Sequence, residues 1–195
     1  MGPYVAEAEL SRNSGRSPNR WFARHGEPLR SAIVEAAPGV CRYLFGLCGD
    51  WHLAEDLMQE ALLAAWTQRR RFDGRSQPQT WVYAIARNLW RARLRRQHSR
   101  PKEQPMPDEP MESTSASSPP AEAARCELVA AVEAAMAKLP PEQREVLALR
   151  ESRGLTFGQV AELLQVPVAT AKSRARYALE KLAAELRPFD EEAQR

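Results

Sequence analysis

Short polar and basic side chains gather near the start of a predicted helix in the C-terminal third of the chain. The face that they form comprises Ala169, Thr170, Lys172, Ser173, Arg174, Arg176 and Tyr177. Hydroxyl and N–H groups there can bind phosphates, while Lys and Arg can donate hydrogen bonds to guanine edges in the major groove. The face therefore favours DNA binding over its alternative, a solvated basic surface on an ordinary helical hairpin.

A second candidate site is an arginine-rich segment in which aromatic rings are interspersed. The segment from Arg69 to Arg100 contains ten arginines and a single acid. Its aromatic residues are Phe72, Trp81, Tyr83 and Trp90. Arginine attracts phosphate, and stacking of a base on an aromatic ring contributes roughly 1–3 kcal/mol. The segment favours contact with single-stranded or melting DNA, although Trp81 suits a core position equally well.

An acidic and polar stripe follows one side of a predicted helix that spans about Leu53 to Arg69. Apolar residues on the other side recur at intervals of three and four, so they are expected to face a core. Trp66 is assigned to that core. The stripe itself comprises Glu55, Asp56, Gln59, Glu60 and Leu63. Considered alone, it is compatible with a solvated face, because acids near a helix N-terminus interact favourably with the helix dipole.

The chain offers little that could support catalysis or metal binding. His52, Glu55 and Asp56 have the i, i+3, i+4 spacing of a ligand set, but a His beside a helix start is more often a surface residue. No paired nucleophile and base, and no phosphate-binding glycine loop, is evident. We therefore expect no catalytic residues, no metal and no cofactor. Cys41 and Cys48 are expected to be small core residues rather than a redox pair.

Charge is distributed unevenly, although the formal net charge is only +3. The arginine-rich segment is followed, from Pro101 to Ala124, by one base and five acids. No run approaches the roughly 18 apolar residues that a membrane span needs. The segment from Met1 to Arg20 lacks the apolar centre of a signal peptide. These features predict a cytoplasmic protein without membrane insertion.

Outside the acidic segment the pattern is helical, which predicts an all-α fold of two small helical domains joined by a flexible linker. In the first domain, residues 25–99, a helix from Leu29 to Leu47 is expected to kink at Pro38. Asp50 is expected to cap the next helix. A third helix should begin near Thr80.

The linker is predicted over residues 100–124, because its prolines and Ser/Thr cluster cannot bury enough apolar surface to offset chain ordering. The second domain, residues 125–187, contains a helix-turn-helix. Thr156 and Gln159 have capping-box spacing at the start of its first helix, and its second helix runs from about Ala169 to Leu186. The chain ends are a predicted disordered N-terminus and a tail, residues 1–24 and 188–195.

Two groups of motifs resemble the extracytoplasmic-function (ECF) sigma factors of bacterial RNA polymerase. Similar to the family's second region are Ala54 to Glu60, Trp66, the turn Arg71 to Gly74, and Trp81 to Leu89. Similar to its fourth region are Leu139 to Val146, Gly154 to Thr156, and Val166 to Arg174. The two groups occur in the family's order, which makes the resemblance stronger than either group alone.

The resemblance implies that the chain binds core RNA polymerase and directs promoter recognition, −10 melting and transcription initiation. Contact with the clamp helices of the polymerase's largest subunit is assigned to Asp56, Gln59, Glu60 and Leu63. Contact with the −10 element is assigned to Arg75, Ser76, Gln77, Gln79, Trp81, Arg87, Asn88 and Arg91. The second domain would sit on the flap of the other large subunit. Contact with the −35 element is assigned to Arg150, Thr170, Lys172, Ser173, Arg174, Arg176 and Tyr177.

The family resemblance also implies an anti-sigma partner that covers the polymerase-binding faces. Polymerase would hold the two weak DNA-binding domains at a fixed separation, so that the second contact becomes effectively intramolecular. The alternative is a stand-alone helix-turn-helix regulator, in which the first domain serves for dimerisation or sensing. Such a regulator would bind its operator without polymerase.

Overall fold

Helices make up most of the part of the chain that the structure describes. The computed structural model describes residues 29–99, 120–152 and 155–193, so the predictions for the N-terminus and for most of the linker fall outside it. The helices are α1 (residues 29–35), α2 (Ala37–Cys48), α3 (Trp51–Gln68), α4 (Pro78–Ser99), α5 (Pro120–Ala137), α6 (Pro141–Glu151), α7 (Phe157–Leu164) and α8 (Val168–Ala193), with a 3-10 turn at Arg69–Arg71. No strand occurs in these ranges, and the predicted all-α fold class is confirmed.

The first helical unit, α1 to α4, begins with the predicted kink. The chain turns at Ala36 and resumes as α2, with Pro38 in the first turn, where its missing N–H leaves no hydrogen bond unmade. Gly49 ends α2 in the left-handed conformation, with φ of 70°. Asp50 then caps α3, and its carboxylate accepts a hydrogen bond from the N–H of Leu53 at 3.0 Å. Both local predictions, the kink and the cap, are confirmed.

The second helical unit, α5 to α8, contains the predicted helix-turn-helix. At the start of α7 the hydroxyl of Thr156 accepts from the N–H of Gln159, and the Gln159 side chain accepts from the N–H of Thr156. This reciprocal capping box satisfies two N–H groups that the helix itself cannot pair. Gln165 ends α7 with φ of 58°, and α8 follows after a short turn.

Two helices are longer than the sequence pattern predicts. Helix α5 begins at Pro120, inside the predicted linker, because proline is well tolerated in a first turn and the residues that follow are strong helix formers. Helix α8 continues to Ala193. Pro188 forfeits one main-chain hydrogen bond there without ending the helix.

The two helical units pack against each other. Helix α2 lies against α6, and α4 lies against α7. One buried apolar cluster runs through both units and includes Val40, Leu44, Val82, Val146, Leu149 and Val160. A smaller cluster of Leu139, Leu147 and Ala178 lies within the second unit. The sequence predicts two domains and a tether, but it contains no local signal of this shared core.

Among the described residues, no helix combines the length and apolar character that crossing a bilayer would demand. The same residues bring together no group of three His, Cys, Asp or Glu side chains suited to a metal ion.

Candidate nucleic-acid and protein interfaces

The polar stripe on α3 faces solvent. Ala54, Leu57, Ala61 and Ala65 are buried on one side of the helix, and the small alanines allow α3 to lie close to its neighbours. This packing turns the other side outward. Asp56, Gln59, Glu60 and Leu63 are all exposed there, and the side chain of Leu63 is 66% exposed.

Trp66 is not a core residue, so its assignment to the core is wrong. Its side chain is 41% exposed, because Ala65 occupies the buried position at this level of α3. The guanidinium of Arg69 lies 4.1 Å from the centre of the indole ring, and that of Arg30 lies 5.9 Å away. Trp66 follows Leu63 by three residues, so it extends the exposed stripe by one helical turn.

The loop between α3 and α4 presents polar side chains over a buried ring. Phe72 is buried beneath Trp81, with ring centroids 5.1 Å apart. Gly74 has φ of 72°, and the Asp73 carboxylate accepts from the N–H of Arg75 at 3.1 Å. Trp81 is half-buried and packed, which places it between the two predicted alternatives of core residue and DNA-binding wedge. Of the loop candidates, Arg75 and Gln77 are exposed and Ser76 is half-buried; Gln79, in the first turn of α4, is also half-buried.

The three −10 candidates that lie beyond the first turns of α4 differ in accessibility. Asn88 and Arg91 are exposed, whereas Arg87 is buried between the two helical units. The Nε of Arg87 donates to the Glu145 carboxylate of α6 at 2.8 Å. Its Nη1 donates to the main-chain carbonyl of Leu163 at 3.2 Å. Arg87 therefore cannot reach an external phosphate in this arrangement.

Two tyrosines complete the polar part of the interface between the units. The Tyr83 hydroxyl donates to the carbonyl of Ser152 at 2.7 Å, and the Tyr43 hydroxyl faces Glu145 at 3.4 Å. Burial, followed by the charge of Glu145, raises the pKa of Tyr43 well above its ordinary value, so its hydroxyl remains protonated. Sequence reasoning assigned no role to Tyr43 or Glu145, because their partners lie far away along the chain.

The α8 face has the accessibility that DNA contact requires. Ala171, Ala175 and Ala178 are buried, as their spacing predicts. Lys172, Arg176 and Tyr177 are exposed on the opposite side, while Thr170, Ser173 and Arg174 are half-buried. The Arg176 guanidinium lies 3.3 Å from Glu180 and 4.6 Å from the centre of the Tyr177 ring.

Arg150 is exposed, yet its guanidinium already has partners. Its Nη1 donates to the carbonyl of Leu155 at 2.8 Å, and the group lies over the ring of Phe157. It therefore braces the approach to α7 and orients the helix-turn-helix.

An apolar groove of about 440 Å³ opens between α2, α5, α6 and α8. Phe45, Met136, Leu147 and Leu182 line it. Helix α5 leaves apolar side chains uncovered: Leu128 and Val132 are exposed, and Val132 also lines the groove.

Cys41 and Cys48 pack partly buried against the core and are unbridged. Burial is the largest cause of a raised pKa at both thiols, which favours the protonated form. Both behave as small apolar side chains.

Comparison with known proteins agrees with this architecture. Residues 33–100 match the family model for Sigma-70 region 2, and residues 135–184 match that for Sigma-70, region 4. The chain is 34% identical over 158 residues to the ECF RNA polymerase sigma factor EcfG of Rhodopseudomonas palustris, across 81% of this chain and 84% of that protein. It is 31% identical over 168 residues to the ECF RNA polymerase sigma factor SigC of Mycobacterium tuberculosis, across 85% and 87%.

Solved structures show the same fold. The sigma factor RpoE from Bartonella quintana, in complex with the anti-sigma factor NepR, aligns with a TM-score of 0.61 at 20% identity, covering 83% of this chain and 98% of that one. CnrH, in complex with the cytosolic domain of CnrY, aligns with a TM-score of 0.53 at 24% identity, covering 88% of both chains. The matched regions and the extent of the sequence identity confirm the predicted family, and the chain belongs to the ECF sigma factors of RNA polymerase.

Proposed function

We propose that this sigma factor, which directs RNA polymerase to promoters, binds the polymerase through α3 and promoter DNA through α4 and α8. The single observation that carries the proposal is that Asp56, Gln59, Glu60 and Leu63 are all exposed while the two helical units pack against each other. A face that stays outward in the closed protein is available for a first encounter with the polymerase.

The polymerase contact is assigned to the clamp helices of the largest subunit. Asp56 and Glu60 supply charge on the α3 stripe, Gln59 supplies an amide, and Leu63 supplies apolar area. Such a mixture combines steering by charge with burial of an apolar anchor. Trp66, whose ring lies near the guanidinium groups of two arginines, adds a large rigid side chain at the end of the same stripe.

The DNA contacts are divided between the units. The exposed residues of the loop and α4 are assigned to the −10 element and its melting, and the α8 face is assigned to the −35 element. Arg150 supports α7 and lies within reach of the same DNA. Recognition in the major groove suits α8, because its N-terminal turns carry hydroxyl and basic groups on one exposed face.

An anti-sigma partner is part of the proposal. The structurally similar sigma factor RpoE was solved in complex with the anti-sigma factor NepR. The groove between α2, α5, α6 and α8 offers apolar surface to a partner of this kind. We place the chain in the cytoplasm, where core RNA polymerase acts.

The test is co-elution of the full chain with bacterial core RNA polymerase on size exclusion at near-physiological salt. The test variant replaces Asp56, Gln59 and Glu60 by Ala. The control variant replaces Glu127 and Glu133, two exposed acids of α5, by Ala and so removes the same charge. We expect wild type and control to co-elute and the test variant to elute alone.

The same experiment distinguishes the alternative function. If neither wild type nor control binds core polymerase, while the free chain binds a duplex site-specifically, the chain acts as a stand-alone regulator. Family membership weighs against that outcome.

A further inference from the structure

Glu145 on α6 faces two arginines that the proposed function assigns to promoter DNA. Its Oε1 accepts from the Nε of Arg87 at 2.8 Å, and its Oε2 lies 3.9 Å from the Nη2 of Arg91. The hydroxyl of Tyr43 also points at the carboxylate, at 3.4 Å. A single acid of the second unit thus neutralises positive charge that belongs to the first.

The ion pair between Arg87 and Glu145 is nearly closed to solvent. The two side chains are 11% and 15% exposed. Charge-assisted hydrogen bonds are strong in such surroundings, and removal of one partner leaves the other charge buried without compensation. The carbonyl of Leu163 accepts from the same guanidinium and holds its orientation.

Closure affects the candidate binding surfaces unequally. The α3 stripe remains exposed, and so do Lys172, Arg176 and Tyr177 of α8. Of the −10 candidates farther along α4, Asn88 is exposed, Arg91 is exposed beside Glu145, and Arg87 is buried. The interface therefore withdraws positive charge from the −10 side while leaving the polymerase-binding and −35 surfaces open.

We propose that Glu145 is an internal competitor for promoter DNA: its carboxylate occupies the position of a backbone phosphate at Arg87 and keeps the two helical units closed. This inference rests on the proposed function, and it concerns regulation of the same DNA-binding surface. The free chain stays closed and binds −10 DNA poorly. Polymerase first meets the still exposed α3 stripe. It then shifts the population towards separated units and releases Arg87, because it holds the first unit on the clamp helices and the second on the flap at a separation that the closed state cannot reach.

The principal test compares Glu145→Gln with Glu142→Gln in the full chain. Both residues lie on α6 and both changes remove one negative charge, but Glu142 is exposed in the first turn of the helix. Binding to a mixed-sequence single-stranded DNA oligonucleotide is measured by fluorescence anisotropy without polymerase. Small-angle X-ray scattering of the same samples reports whether the units separate.

We expect E145Q to expand the protein and to raise its affinity for the oligonucleotide on the order of tenfold, the scale of one hydrogen bond to a charged group. E142Q should change affinity little and leave the dimensions unchanged. In an Arg87→Ala background the gain from E145Q should vanish, because the arginine that is released is absent. The double variant also leaves no buried charge uncompensated, so it is expected to fold even if E145Q does not.

Three outcomes would overturn the inference: equal behaviour of E145Q and E142Q, expansion without a gain in affinity, or a gain that persists without Arg87. None of these outcomes would contradict the proposed function, which is tested separately by co-elution with core polymerase. E145Q should still co-elute with core polymerase, and the triple alanine variant of the α3 stripe should still fail to do so.

Discussion

The hydroxyl of Tyr83 on α4 donates a hydrogen bond to the main-chain carbonyl of Ser152, 2.7 Å away at the end of α6. Ser152 is fully buried and Tyr83 nearly so. The two residues are 69 positions apart in the chain, and their contact joins the helical units. This buried hydrogen bond therefore contributes to the stability of the closed state, in which the two helical units pack against each other.

Tyr83→Phe should destabilise the closed state, because it leaves the buried carbonyl of Ser152 without this donor. An unsatisfied buried acceptor costs about 1–3 kcal/mol. Urea unfolding measures the loss in the free energy of unfolding. Tyr177→Phe is the matched control, because Tyr177 is exposed and its ring would be retained. It should change stability by less than about 0.5 kcal/mol, and an equal loss in both variants would contradict the assigned role of Tyr83.

Gly39→Ala should weaken the contact between Tyr83 and Ser152 for a steric reason. A Cβ at this position would lie 2.2 Å from the Tyr83 hydroxyl and 3.1 Å from the Ser152 carbonyl oxygen. The penalty should fall in the Tyr83→Phe background, because the closest atom is then absent. A double-mutant cycle on unfolding free energies tests this coupling. Gly158→Ala is the control, since its Cβ would meet nothing nearer than 3.7 Å; additive effects at Gly39 and Tyr83 would refute the steric account.

Trp66→Ala should weaken binding to core polymerase more than it lowers stability, because the ring is substantially exposed at the end of the α3 stripe. Titration of labelled chain with core polymerase gives the affinity, and thermal unfolding gives the stability. Trp51→Ala is the control: Trp51 is also exposed on α3, but it packs against Phe45 with ring centroids 4.5 Å apart. Unchanged polymerase affinity in the Trp66 variant would mean that Trp66 is not part of the polymerase-binding surface.

Replacement of Lys172 and Arg176 by Ala should abolish −35 recognition by the holoenzyme. Loss of Arg or Lys contacts to base edges costs about 1–3 kcal/mol each, and loss of phosphate contacts reduces the salt dependence of binding. Promoter affinity measured over a range of salt concentrations separates the two effects. Lys181→Ala removes an exposed charge farther along α8 and should have little effect. If the Lys181 variant lost as much promoter affinity as the Lys172 and Arg176 variant, the α8 face would contribute only nonspecific electrostatic attraction.

Local features of the fold follow from the sequence because they depend on residues a few positions apart. The cap at Asp50, the bend at Pro38 and the capping box of Thr156 with Gln159 each involve one helical turn, and all three are present. The buried alanines of α8 follow from the same short period. The family resemblance likewise rests on motifs that are contiguous in the chain. Whether the exposed residues bind polymerase and DNA as assigned stays a prediction.

The tertiary structure alone decided which polar and aromatic side chains face each other across the two units. Helical period does not reveal that Ala65 would fill the buried position and leave Trp66 exposed, since both suit an apolar face. Nor does it reveal that Arg87, one of many arginines on α4, meets Glu145, which lies 58 positions later. Such pairs depend on how whole helices dock, and docking is set by the shape and burial of surfaces that no short stretch of sequence contains.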